Sequence, residues 1–184
     1  VIRGLGVSND GRGGGLLAPD TEGQRRALRS AYAMAGMDPA RVSLVECHAT
    51  GTTVGDAAEL QTMADVFAEA PDLPVGSLKS NLGHLITASG AAGLLKVLGA
   101  MAHRTRPATI HIDQPADLPA DSPLRLLTSA EPWESTEPRV AAISNFGFGG
   151  NNAHLVIEEY APGGQPGSQA SAIEPTPPIG RAHV

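Results

Sequence analysis

The chain has 184 residues, a formal net charge of −6 and a hydrophobic share of 41%, and a chain of this size buries roughly 70% of its unfolded surface as one domain. The negative balance speaks against a nucleic-acid partner, and the single cysteine excludes an internal disulfide. No apolar run reaches the length of a membrane span and no signal-peptide pattern opens the chain, so a reducing cytoplasm is the expected compartment.

Residues 1–8 predict a strand already under way at Val1, as in a segment of something longer. The loop "NDGRGGG" (9–15) is rich in glycine but lacks the lysine and following helix of a phosphate loop. Thr21 with Gln24 has the form of a capping box. Leu28, Ala31, Tyr32 and Ala35 then recur at helical spacing until Gly36 stops the helix. "RVSLVEC" (41–47) predicts a buried strand. Asp56 and Glu59 stand where the next helix opens, with Leu60, Met63, Ala64 and Phe67 on its apolar face. "PVGSL" (74–78) predicts another strand. "TASGAAGLLKVLGAMAH" (87–103) predicts a helix apolar almost all round, with Lys96 its only charged interior residue, and such a helix is covered on most sides. "ATIHI" (108–112), "RVAAISNF" (139–146) and "AHLVIEE" (153–159) predict further strands, and the proline- and acid-rich stretch 113–138 reads as surface loop. Alternating strands and helices predict an α/β layered domain over residues 1–160, followed by a Pro/Gly/Ser-rich linker or tail over 161–184.

Three histidines fall at segment ends: His48 after a strand, His84 before the apolar helix and His154 at the start of the last strand. Strand ends are where α/β folds place their sites. Taken alone, each histidine reads as a hydrogen-bonded structural residue rather than a catalyst. None falls in a short ligand spacing such as H-x-x-x-H, so no metal is expected. Lys79 could be a surface lysine, yet it lies between predicted buried segments, where an ammonium needs a partner. Arg104, Arg106 and His111 read as solvated. Cys47 and His48 are adjacent, but neighbours on an extended strand point to opposite faces. A thiol nucleophile needs its histidine within about 3 Å, so Cys47 reads as a small buried core residue.

"VECHATGTTVGDAAE", "KSNLGH" and "SNFGFGGNNAH" stand in this order. Together they resemble the C-terminal half of a β-ketoacyl synthase, most like the ketosynthase domain of a type I polyketide synthase. The resemblance implies a thiolase-like layered αβαβα fold built from two similar halves, of which this chain is one. It implies decarboxylative Claisen condensation of an acyl thioester with a malonyl-type extender on acyl carrier protein. His48 and His84 are then the catalytic histidines, donating hydrogen bonds to the thioester oxygen. Lys79 is the active-site lysine that holds a carboxylate and orients the histidine region. Thr50 and Thr52 meet the phosphopantetheine arm. Phe148 lends its backbone N–H to an oxyanion hole and its ring to a gate, on a turn that Gly147, Gly149 and Gly150 permit.

The resemblance also implies no directly bound cofactor, since the substrates ride on the phosphopantetheine of acyl carrier protein. The other implied partners are the upstream half of the domain and, when intact, a second copy in a homodimer, with no nucleic acid or membrane. Ala49 stands where the family usually has glycine, and Asn151 where it usually has threonine. The family's nucleophilic cysteine belongs to the upstream half, outside this chain, so the chain alone is expected to be inactive. Two other classes fit the same motifs: a non-catalytic chain-length or gatekeeping partner, and a thiolase-superfamily acyltransferase that does not decarboxylate.

Overall fold

The structure, a computed structural model, describes residues 1–11, 15 and 18–161. The predicted tail from residue 162 onward and part of the 9–15 loop lie outside the described residues. A six-stranded sheet in the order β1-β8-β7-β2-β3-β5 forms the centre. Its strands are β1 (Ile2–Asn9), β2 (Val45–Glu46), β3 (Leu73–Gly76), β5 (Leu124–Leu126), β7 (Val140–Gly147) and β8 (Asn151–Glu158). β2 runs parallel to both β7 and β3, while β1, β8 and β7 alternate in direction. Thr105–Arg106 (β4) pairs separately with Glu131–Pro132 (β6).

Helix α1 (Thr21–Ala35) crosses one face of the sheet. Its cap differs from the expected box: Asp20 is the N-cap and accepts from the Gly23 N–H at 2.7 Å, so Thr21 is already helical. Gln24 is buried, within 2.9 Å of the Thr62 hydroxyl that donates to it. Gly36 closes the helix at φ 57°, a left-handed cap. β1 presents Gly4 and Gly6 to this helix because nothing larger fits. A Cβ on Gly6 would stand 1.8 Å from the Ala27 carbonyl oxygen. Helix α2 (Thr53–Val66) packs beside α1, and Met63 and Phe67 join Leu28, Tyr32 and Val45 in the core on this face.

The short helix α3 (Lys79–Leu82) and helix α4 (Ser89–His103) follow β3. α4 covers the opposite sheet face, where Val97 and Met101 meet Leu44, Leu127, Trp133, Ala141 and Ile143. The expectation that this helix is covered on most sides holds for one side only. Leu95 and Leu98 are exposed, as are Leu5 and Val7 on β1. Leu5 stands opposite Leu155, which packs with the α4 core, so these side chains share the α4 face of the sheet. An apolar surface of that kind marks a place where further protein packs.

Three further sequence expectations are corrected. Residues 108–112 are not a strand: His111 has φ 58°, and Thr109 turns its backbone N–H to Leu127 O while its hydroxyl accepts from the Ser77 N–H. Residues 113–138 are not merely surface loop, since they contain β5 and the fully buried Trp133. The Trp133 indole N–H donates to Ser43 Oγ at 3.0 Å. Arg106 is not solvated: it pairs with Glu131 at 2.9 Å and lies over the Trp133 ring. Removing this ring leaves a cavity beneath α4. Trp133→Ala should therefore lower unfolding free energy by about 3–5 kcal/mol, read as a lower urea midpoint of the chain. A loss below about 1 kcal/mol would contradict its core position.

Candidate active site

The parallel strands β7, β2 and β3 end along one edge of the sheet. That edge is where an α/β sheet exposes backbone and side chains to a ligand. β2 contributes only two residues to the ladder, but its backbone pairing extends further: Ser43 N–H donates to Val140 O and Cys47 N–H to Gly76 O. The chain then turns sharply. Ala49 has φ 24°, a strained value for a residue with a Cβ. The buried Glu59 carboxylate holds this turn, taking the His48 N–H on one oxygen and the Ala49 N–H on the other, both at 2.7 Å. α2 thereby aims His48 away from the core.

The ring of His48 meets that of His84 edge-on, with centroids 5.5 Å apart. Phe146, near the end of β7, packs against His48 as well, at 5.8 Å. His84 is exposed and precedes a segment with two left-handed residues, Leu85 and Ile86. Burial, then the positive charge of Lys79, then His84 lower the His48 value to about 4, so this imidazole is neutral near pH 7. Among the described residues its buried Nδ1 has no hydrogen-bond partner.

Lys79 opens α3 and is half-buried. Burial lowers the value of its ammonium, and the charges of Glu46 and Glu59 oppose that shift. Glu59 is itself raised to about 7, chiefly by burial, against the backbone N–H groups that favour its charged form. Lys79 and Thr50 line a cavity of about 350 Å³ together with Cys47, Glu59, Met63 and Thr109. The Thr50 and Thr52 hydroxyls lie 3.2 Å apart in the exposed loop before α2. Lys79 and His84 share a smaller hollow with Glu46, Leu78 and Ser89.

The remaining sequence candidates lie elsewhere. Phe148 stands exposed at the tip of the β7–β8 hairpin, and the ring beside His48 is that of Phe146 instead. Gly149 and Gly150 take φ 77° and 72° in that turn, and Gly147 ends β7. His154 is a core residue, fully buried between the Tyr32 hydroxyl and Ser144 Oγ, each 3.0 Å away. Cys47 points to the α2 side, its sulfur 3.9 Å from Met63 Sδ. Burial first, then Glu59 and Glu46, hold its thiol well above the usual range, which makes it a poor nucleophile. Sequence reasoning missed Glu46, Lys96 and the carboxylate role of Glu59. An acid inside the apolar run "SLVEC" and a lysine inside an apolar helix were the available signals.

A family described as Beta-ketoacyl synthase, C-terminal domain matches residues 1–113. The chain is 45% identical over 166 residues to the polyketide synthase GfsA of Streptomyces halstedii, covering 86% of this chain and 2% of that protein. It is 41% identical over 170 residues to the polyketide synthase PksL of Bacillus subtilis 168, covering 88% of this chain and 4% of that protein. Among solved structures, the ketosynthase from module 6 of the bacillaene synthase of Bacillus subtilis 168 superposes with a TM-score of 0.82 at 41% identity. That match covers 88% of this chain and 30% of the ketosynthase. An oxazolomycin ketosynthase domain from Streptomyces albus JA3453 gives 0.83 at 35% identity, over 90% of this chain and 31% of that one. The fold is therefore thiolase-like, and the chain belongs to the β-ketoacyl synthase C-terminal domain family. It spans about a third of the length of those solved ketosynthases and a few per cent of the curated synthases.

The pH behaviour of the two shielded histidines is a direct check on this geometry. Both folded values, about 4 for His48 and about 3 for His154, lie below the value near 6.5 of an unfolded histidine. Unfolding therefore takes up protons below pH about 6.5, and these groups make the fold less stable as pH falls from there towards 4 and 3. In an NMR titration of the imidazoles, His48 should stay neutral down to about pH 4. A His48 that charges near the unfolded value would contradict the desolvated pairing described here.

Proposed function

We propose that this chain supplies the histidine and lysine side of a condensing site in polyketide or fatty-acid-like synthesis. The observation that carries the reading is the pairing of the His48 and His84 rings at 5.5 Å, beside Lys79, at the ends of parallel strands. Two imidazoles on one spot are a donor pair for a developing oxyanion. In the proposed reaction the bond between the malonyl carboxylate and its neighbouring carbon breaks, and carbon dioxide leaves. The electron pair moves into the thioester carbonyl, giving an enolate whose oxygen takes hydrogen bonds from His48 and His84. The enolate carbon then attacks an acyl thioester held on a cysteine outside this chain. A carbon–carbon bond forms, the carbon–sulfur bond breaks, and the cysteine leaves as thiolate. The product is a 3-oxoacyl thioester two carbons longer.

Other side chains take supporting roles. Lys79, flanked by Glu46 and Glu59, holds a carboxylate and keeps the histidine region in place. The Thr50 and Thr52 hydroxyls face solvent at the loop before α2, where they meet the phosphopantetheine arm of a carrier protein. Phe148, on its glycine turn, gates the acyl side and offers its backbone N–H to the acyl-cysteine oxygen. The bare apolar face around Leu5, Val7, Leu95 and Leu98 packs against the other part of a full ketosynthase domain, residues 1–160 forming one structural unit with it. The intact domain is a cytoplasmic homodimer served by acyl carrier protein. The similarity to full ketosynthases at a TM-score of 0.82 supports this placement.

In the intact domain, His84→Ala should slow carbon dioxide release from malonyl-carrier protein by roughly 10²–10³, the worth of one oxyanion donor. Acyl loading onto the distant cysteine should stay comparatively intact. Equal loss of both steps, measured by carbon dioxide release and by mass spectrometry of the acyl-enzyme, would make His84 a structural residue and sink the reading.

A further inference from the structure

Glu46 sits at the end of β2 with its side chain 4% exposed. One carboxylate oxygen accepts the Leu78 N–H at 2.7 Å, and the other takes Lys96 Nζ from α4 at 2.6 Å. Leu78 is the N-cap of the short helix that begins with Lys79. α4 makes room for the acid at Gly93, where a Cβ would come within 3.1 Å of Glu46 Cγ. The same residue lines the small hollow that holds Lys79, Gly83 and His84.

A buried ion pair is a poor device for stability alone, because desolvating two charges offsets most of their attraction. Two apolar side chains join a strand to a helix about as well. What they cannot do is accept a backbone N–H at the mouth of α3 and answer an ammonium at the same time. Glutamate has two acceptor oxygens for those two donors, whereas glutamine has only one.

We propose that Glu46 and Lys96 are positioning residues for the condensing site: the buried carboxylate pins the start of α3, and Lys96 locks that carboxylate to α4. The strand that leads to His48, the helix that carries Lys79 and the segment that carries His84 are thereby held in one register. The inference rests on the condensing role proposed above. The groups that face Lys79 are Glu46 on β2, Cys47 just after it, Glu59 and Asp56 on α2 and Lys96 on α4, with His48 beside it. Removing the Glu46 charge therefore changes both the position and the surroundings of this lysine.

The test uses the intact domain with its nucleophilic cysteine, malonyl-carrier protein for carbon dioxide release, and an acyl-carrier thioester for loading. Glu46→Gln should lower kcat for release by roughly 10- to 100-fold, the scale of a small misplacement at a reacting centre. KM for malonyl-carrier protein and the loading rate should stay within about twofold. Lys96→Met should show the same split, and Lys96→Arg should recover release to within about fivefold of wild type, since a guanidinium can still answer the carboxylate. Release at the wild-type rate in Glu46→Gln would overturn the inference. So would parallel loss of loading and release that follows Tm and is not recovered by Lys96→Arg. A wild-type domain that releases no carbon dioxide, or a His84→Ala variant that releases it normally, would instead remove the condensing reading itself.

Discussion

The edge of this sheet depends on one carboxylate that lies eleven positions after the histidine it serves. Glu59 takes two consecutive backbone N–H groups, from His48 and Ala49, at the point where β2 leaves the sheet. Without those bonds, two donors would be left unpaired at a turn with a positive φ, each at a cost of about 1–3 kcal/mol. With them, the direction of His48 is set by the axis of α2 rather than by the loop itself. Loops of this kind are precise only when something rigid holds their backbone. Here the rigid body is α2, itself anchored to α1 through the Thr62–Gln24 hydrogen bond and the Arg25–Asp65 ion pair.

Around that turn acidic and basic groups meet within a small volume. Two buried acids, Glu46 and Glu59, oppose two lysines, Lys79 and Lys96, while His48 stays uncharged between them. Neutrality of His48 follows from this company: burial and the nearby ammonium both disfavour an imidazolium. A neutral ring can still donate one hydrogen bond. The Cys47 thiol lies one residue away, yet its burial and the same acids hold it protonated. One strand end thus separates two chemistries by the alternation of its side chains.

The sequence made the regular elements legible where local rules act. The Leu28, Ala31, Tyr32, Ala35 stripe and the stop at Gly36 are both found in α1, and the run 139–146 corresponds to β7. The pairing of His48 with His84 was open only through the order of three motifs, since no local pattern links residues so far apart. What stayed hidden is what distance in sequence decides. Trp133 belongs to the core, packed with Leu44, Val97 and Ile143 and donating its indole N–H to Ser43, although the surrounding prolines and acids read as surface. The segment 108–112 has strand composition, but His111 takes φ 58° and the ladder is never made. Asp20 outcompeted Thr21 for the cap by one position, a difference that only backbone geometry settles.

The arrangement of the sheet bears on how the chain reaches this state. Val1 closes on Glu158, 157 positions away, and Ser43 on Val140, 97 positions away. The central strand has parallel partners on both sides, and one of them belongs to the β7–β8 hairpin. Contacts of such span reward the chain only after most of its loop entropy has been lost, which makes folding slow. The helices can form early, but β2 has no second neighbour until β7 is in place. During synthesis the strand that precedes His48 therefore waits, half-paired, for the β7–β8 hairpin to leave the ribosome. Through that interval its exposed edge is open to mispairing and to chaperones.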